Sequence, residues 1–311
     1  HAPPPRSPPL TPSSHNHPAE PVATHLWIVG AGRTGLALGL RLHRAHAVGR
    51  LTMTGRRVPP REHPLFGGDP PGAEYRSSIE DAPDDADAIV IAVPDGAIAE
   101  VAGRLAAIDL PPSIPILHTS GSRSIDILQP LAELGHPTGC AHPLAAIAEP
   151  VSGAERLAGA TWGVEGDGAA LEFAERIVHA CGGHALRIAP GGKPAYHAAA
   201  VFASNYAVAL LSVAERLMEQ AGVDAADARP ALAALAAGAV ENVAARGPAA
   251  ALTGPVMRGD AETVALHLAR LSADERALYC LLGREALRLA RMGGLDAAAA
   301  HRIGTLLGEG S

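Results

Sequence analysis

Apolar and polar positions follow two different regimes along this chain. Between His25 and Ile188, short apolar runs recur: HLWIVG at 25–30, LTMT at 51–54, AIVIAV at 88–93, Ile114 to His118, and shorter candidates at 161–165 and 185–188. Runs of this length that are apolar throughout predict strands buried on both faces. Between them lie stretches of helical spacing: LALGLRLHRA after the first run, a segment near 97–107 and another around 125–134. Strands alternating with helices predict a doubly wound, mainly parallel sheet of the α/β class.

After Pro190-Gly191-Gly192 the strand signals stop and long Ala/Leu-rich segments take over. One predicted helix runs from about Ala195 to Gln220 and stops at Gly222, since glycine suits the residue past a helix end. The last well-marked helix opens at Ser272 with Glu275 in capping-box spacing and stops at Gly293-Gly294. The predicted organisation is a tail over 1–22, a Rossmann domain over 23–189 and an all-α C-terminal domain over 190–311. The tail is rich in proline and has no apolar run, which predicts disorder and argues against a signal peptide.

Composition narrows the class of partner. The 311 residues are 48% apolar, enough for two cores, and carry a formal charge of −7, which disfavours nucleic acid and favours a small-molecule partner. Cys140, Cys181 and Cys280 are odd in number and widely spaced, so no disulfide framework or cysteine zinc site is expected, and a reducing cytoplasm fits best. His118, His142, His197 and His267 lack short ligand spacing, and no metal is expected. The segment 194–214 has no formal charge over about the length of a membrane span. Its alanine content, with His197, Ser204 and Asn205, instead predicts the central helix of a bundle or a symmetric dimer, with no membrane partner.

The chemistry concentrates at strand ends. Gly30-Ala31-Gly32-Arg33-Thr34-Gly35 follows a predicted strand and opens a helix, the context in which the GxGxxG pattern signals a dinucleotide. Gly30 serves the tight turn, Gly32 the approach of a pyrophosphate and Gly35 helix–sheet packing. At the end of the second strand, where an acidic residue accepts the ribose hydroxyl of NAD, the chain offers Arg56 and Arg57. Two guanidinium groups there predict NADP(H), through its 2′-phosphate. Val93 and Pro94 end a third strand beside the expected cofactor. His118-Thr119-Ser120-Gly121 and His142-Pro143-Leu144 end others on the same edge, where open α/β sheets bind ligands. On the helix that follows, His197 and Asn205 are eight residues apart and fall on nearly one face. His197 is the expected proton donor with Asn205 orienting substrate, and His118 and Ser120 form the competing set. Farther on, Arg258 and Asp260 of TGPVMRGD are read as a local pair that fixes a turn between helices.

Taken in order, GAGRTG, VPDGAI, HTSG, HPL, YHAAAVFASN and TGPVMRGD resemble the family that joins a Rossmann-like domain to DUF2520. The resemblance implies a fold shared with the 6-phosphogluconate dehydrogenase, pyrroline-5-carboxylate reductase and ketopantoate reductase group, usually dimeric through the helical domain. It also implies NADP(H)-dependent reduction, with a keto acid such as ketopantoate as the leading substrate, an imine of the pyrroline carboxylate type next, and a non-catalytic NADP(H)-binding sensor as the third reading. Ketopantoate reductases carry a lysine followed by asparagines four and eight residues later. Those positions fall here on His197, Val201 and Asn205, so two of the three differ. Lys193, before Pro194, is expected outside the helix.

Overall fold

The computed structural model describes residues 21–57, 59, 61–166 and 168–309, and residues 1–20 of the expected tail lie outside these. The described chain divides between Ser204 and Asn205 into two compact units.

The first unit is built on one sheet. Its strands are β1 (Ala23–Val29), β2 (Val48–Thr54), β3 (Glu74–Arg76), β4 (Ala88–Ile91), β5 (Ile116–His118), β6 (Thr138–Pro143), β7 (Thr161–Gly166) and β8 (His184–Arg187). They lie in the order β3-β2-β1-β4-β5-β6-β7-β8. Every neighbouring pair is parallel except β6 and β7, which run antiparallel with His142 opposite Gly163 and Cys140 opposite Glu165. The order reverses at β1, where the chain moves from one wing of the sheet to the other through β4. That reversal opens the crevice in which doubly wound folds take ligands.

Both faces of the central strands are covered, which is why their sequences are apolar without alternation. Leu26 and Ile28 of β1 and Ala88 and Val90 of β4 point into one core layer, with helices α1 (Arg33–Arg44), α4 (Pro150–Arg156) and α5 (Gly168–Ala180). Trp27, Val29, Ile89 and Ile91, the alternate residues, point into the other, against α2 (Ile98–Ala106) and α3 (Gln129–Ala132). Trp27 is fully buried, and its indole N–H donates to Thr54 Oγ1 at 2.8 Å. The unit ends with α6 (Lys193–Ala203).

Two local expectations change. The helix expected around 125–134 is a single 3₁₀ turn at Ile125–Leu128 followed by the four-residue α3. The edge strand β3 had no signal, because three residues of EYR at a sheet edge show no period.

The second unit contains α7 (Asn205–Gln220), α8 (Ala225–Arg246), α9 (Pro248–Ala251), α10 (Pro255–Arg258), α11 (Ala261–Arg270), α12 (Ala273–Met292) and α13 (Ala297–Leu306), with no strand among its described residues. Its core joins the last four helices through Val256, Val264, Leu268, Leu287, Ala290, Ala300, Ile303 and Leu307. The capping box at the start of α12 forms as the spacing predicts, with Ser272 and Glu275 satisfying each other's backbone N–H. Asp260 caps α11 by accepting from the Thr263 N–H and hydroxyl, and these bonds, with the nearby Arg258 charge, hold its carboxyl below the usual range. α7 has no buried residue and α8 only Ala228. The single helix expected from 195 to 220 is interrupted at Ser204. By length and composition the stretch Lys193–Gln220 is apolar enough to cross a membrane, and none of it is buried within the chain over its most apolar window.

Candidate functional site at the carboxyl edge of the sheet

The glycine turn after β1 has the geometry that its spacing implies. Gly30 holds φ at +121°, and a Cβ built on Gly35 would lie 1.9 Å from the Gly30 carbonyl oxygen, so no side chain fits either position. Gly32 is different: space is open around it, and it lines a cleft of about 540 Å³. It is also the N-cap of α1, where no side chain caps and no acidic residue occupies the first turn. The N–H groups of that turn have no intrahelical acceptor, so the helix start suits an anion such as a pyrophosphate. Arg56 and Arg57 are exposed at the end of β2, and Tyr75 donates from its hydroxyl to the Arg57 carbonyl, tying that corner down. The features fit a dinucleotide: a glycine turn, an uncapped helix start and two guanidinium groups where its ribose would lie.

The same cleft runs across four strand ends. Gly32, Arg33 and Thr34 line it after β1, Ala92, Val93, Pro94 and Asp95 after β4, Thr119, Ser120 and Gly121 after β5, and His142 and Pro143 at the end of β6. Ala145, Ile147 and His197 complete the lining.

α6 presents one face to this edge. Lys193, Tyr196 and His197 stand at i, i+3 and i+4, neighbours on a helix surface. Lys193 is fully buried and donates from Nζ to the Ser120 carbonyl at 2.7 Å and to Cys140 Sγ at 2.9 Å. The Tyr196 hydroxyl lies 2.9 Å from His142 Nδ1 and 3.4 Å from the His142 carbonyl, with the two rings edge to face. This contact needs Gly163 on β7, because a Cβ there would fall 2.4 Å from Tyr196 Cζ. A Cβ on Gly121 would fall 2.6 Å from His197 Nδ1 and 2.8 Å from His142 Nε2. The two imidazole nitrogens therefore face one notch above Gly121, with ring centroids 6.2 Å apart. His197 Nδ1 is buried there without a hydrogen-bond partner among the described residues.

Burial and the Lys193 charge set the protonation of this edge. Burial first, then Lys193 and His197, bring the His142 imidazole down to about 4 against the pull of Asp95, so it is neutral near pH 7. Burial pushes the Tyr196 phenol up to about 12 and the Cys140 thiol up to about 11, so both keep their protons. Burial opposes ionisation of Asp95, yet hydrogen bonds from Ser122, at 2.5 Å, and Ser120, with the charges of Arg123 and His197, hold its carboxyl below the usual range.

Of the residues picked from sequence, Gly32, Arg33, Thr34, Val93, Pro94, Ser120 and His197 line the cleft together. Gly30 and Gly35 shape the turn beneath it, with Ala31 between Gly30 and Gly32. Arg56 and Arg57 stand outside the lining, at the neighbouring strand end. His118 is fully buried and absent from the lining; its Nδ1 accepts the Ser120 N–H at 3.1 Å, which shapes the turn, and burial lowers it to about 4. Asn205 belongs to the second unit, as the first residue of α7. Lys193 is inside α6 as its first residue, contrary to expectation, because proline is tolerated in a first helical turn. The sequence ranks Lys193 below His197, because Pro194 places it outside the expected helix, and does not single out Tyr196. Their signal was the i, i+3, i+4 spacing of Lys193, Tyr196 and His197 on a helix otherwise made mostly of alanine and valine.

Comparison with known proteins agrees with this architecture. The model of a Rossmann-like domain matches residues 11–145, and that of a domain of unknown function, DUF2520, matches residues 160–286. No curated protein matches the sequence. Among solved structures the chain is similar to a Thermotoga maritima protein, with TM-score 0.66 and 24% identity over 86% of this chain and 99% of that one. It is also similar to a Bacteroides fragilis protein provisionally assigned as an NADP oxidoreductase, with TM-score 0.64 and 18% identity over 88% and 99%. A third is the Plasmodium falciparum pyrroline carboxylate reductase with NADP bound, with TM-score 0.56 and 15% identity over 91% and 98%. These likenesses are of fold. With the two domain models in the order that the strands and helices require, the chain belongs to the family that joins a Rossmann-like domain to DUF2520.

Proposed function

We propose that this protein is an NADP(H)-dependent oxidoreductase that reduces a carbonyl of a small keto acid, in the manner of ketopantoate reductases. The observation that carries the reading is the cleft itself: an uncapped helix start within GAGRTG and a set of hydrogen-bonding side chains on α6, at the end of β6 and just after β5 open into one space. Gly30, Gly32, Gly35 and the first turn of α1 would hold the pyrophosphate, Arg56 and Arg57 the 2′-phosphate, and Val93 and Pro94 would flank the nicotinamide. The reduced cofactor supplies hydride when bound. The chain's own residues bind and orient the substrate and stabilise the charge that develops on its heteroatom, with His142, His197 and Ser120 as the available donors.

The bound NADP and the name of the Plasmodium falciparum protein support a second reading, imine reduction at the same site. We place the protein in the cytoplasm as a homodimer through its helical unit. The test is oxidation of NADPH by purified protein with a panel of keto acids and cyclic imines. Turnover with either class supports an oxidoreductase and selects the substrate. Tight NADPH binding with no turnover on any of them would favour a cofactor-binding sensor.

A further inference from the structure

The geometry points to His142 and Tyr196 as a proton-delivering pair, with His142 as the group that protonates the substrate and Tyr196 as the positioning residue behind it. The inference rests on the oxidoreductase reading and deepens it, moving proton transfer from His197, the residue singled out by sequence, to the strand end opposite.

Three observations carry it. First, the two nitrogens of His142 face different ways: Nε2 toward the notch above Gly121, which the cleft opens onto, and Nδ1 toward the Tyr196 hydroxyl at 2.9 Å. Second, assigning the hydroxyl proton to this shorter contact, and not to the His142 carbonyl at 3.4 Å, makes Nδ1 the acceptor. A neutral imidazole then carries its one proton on Nε2, facing the cleft. Third, the arrangement is built and not incidental. Gly163 lies opposite His142 in the β6–β7 register, and only a residue without Cβ leaves room for the Tyr196 ring above it. Lys193, one turn before His197, fastens α6 to the Ser120 carbonyl and so fixes the helix from which Tyr196 projects.

His197 has a different environment. Its Nδ1 is buried against the same notch without a partner among the described residues, so a substrate atom seated there would satisfy it. Its role in this scheme is to orient the substrate.

Atoms and electrons balance in the transfer. As the substrate carbon gains hydride, the π pair of the C=O bond moves to oxygen. That oxygen forms a bond to the Nε2 proton while the Nε2–H bond breaks, and Nδ1 takes the Tyr196 hydroxyl proton. The imidazole stays neutral with its proton on the other nitrogen, and a phenolate remains on Tyr196. After product leaves, Nε2 takes a proton from water in the cleft and Nδ1 returns its proton to Tyr196. One proton is consumed from solvent per turnover. For an imine the acceptor is nitrogen and the transfers are the same. A neutral imidazole in this role needs a partner that fixes its tautomer, and Tyr196 is placed to do so.

The test combines a structural and a kinetic readout on the full chain. Long-range ¹H–¹⁵N correlation on ¹⁵N-histidine-labelled protein near pH 7 should show His142 neutral and protonated on Nε2. In Tyr196→Phe the preference should relax toward a mixture, and Gly163→Ala, which displaces the ring without removing it, should act in the same direction. In the NADPH assay, His142→Asn should lower kcat by about 10²–10⁴-fold, the usual contribution of a general acid. Tyr196→Phe should lower kcat by roughly ten-fold, and His197→Gln should act mainly on KM, with NADPH affinity unchanged in all three. A wild-type His142 protonated on Nδ1 overturns the pair whether or not a substrate is known. So does full kcat in His142→Asn. Absence of turnover in the wild type, with the expected tautomer in place, counts against the oxidoreductase reading and leaves the hydrogen-bonded pair standing.

Discussion

On the proposed reading, Arg56 and Arg57 are the two residues that decide between cofactors. A guanidinium gains its strongest contacts from phosphate oxygens and offers no acceptor to a ribose hydroxyl. Both side chains are exposed at the end of β2, so their contribution is made in partly screened surroundings. Replacing both by alanine should weaken NADP(H) binding by roughly 10- to 100-fold, the scale of one or two charge-assisted hydrogen bonds, and change NAD(H) little. Fluorescence titration with the two reduced cofactors measures this directly, and equal losses for both would remove the assignment. The glycine turn was legible because it acts locally, through a positive φ at Gly30 and a close approach of Gly35 to the Gly30 carbonyl. Lys193 and Tyr196 were not, because what they do is defined by the groups across the cleft edge. Nothing near Lys193 in sequence announces that its ammonium reaches Ser120 and Cys140, 73 and 53 positions earlier.

At the scale of elements, the sheet was readable where burial on both faces makes a strand apolar throughout, as in β1 and β4, and unreadable where a strand is short and at an edge, as in β3. The antiparallel entry of β7 was also out of reach, since a single strand carries no mark of its direction. The helical unit behaves similarly. Its boundaries follow from caps at Ser272 and at Gly222, which are local, whereas the identity of its core depends on which helices meet. That core places Leu287 of α12 fully buried among α10, α11 and α13. Leu287→Ala should cost about 2–5 kcal/mol, by lost transfer energy and the cavity left behind. Urea unfolding monitored by circular dichroism should show the loss, and a change under about 1 kcal/mol would mean that the last four helices collapse to fill the gap.

For the whole molecule, the fully buried His118 and the partly buried His142 give a defined acid sensitivity. His118 and His142 both fall from the ordinary 6.5 to about 4, burial being the main cause. In the unfolded chain each binds its proton at the higher value, so between pH 6.5 and 4 the unfolded state holds more protons and stability rises with pH. Stability is therefore fully present above pH 6.5 and is lost as pH falls through this window, by up to about 3 kcal/mol for each group. Thermal unfolding of wild type and His118→Gln across the window should show a shallower acid loss in the variant.

The second consequence at this scale concerns what covers α7 and α8. Both are rich in alanine and leucine, yet within one chain α7 buries nothing and α8 only Ala228, while Val208, Leu235 and Val240 are each more than 65% exposed. Apolar surface of this extent on a chain of net charge −7 has two outlets, a bilayer or another protein surface. Asp227, Arg229, Glu241 and Arg246 leave α8 an uncharged stretch of only residues 230–240, too short to span a bilayer, and with Glu215, Arg216 and Glu219 at the end of α7 they flank the apolar surface as the polar rim of a protein interface does. Small side chains also allow close helix approach across a two-fold axis. A dimer is thus expected at micromolar concentration without detergent, and sedimentation equilibrium measures it. Val208→Glu together with Val240→Glu should shift the protein to monomers, because each would bury an unpaired carboxylate at the contact. A wild type that sediments as a monomer, or a double variant that dimerises as before, would place the contact elsewhere on the molecule or remove it.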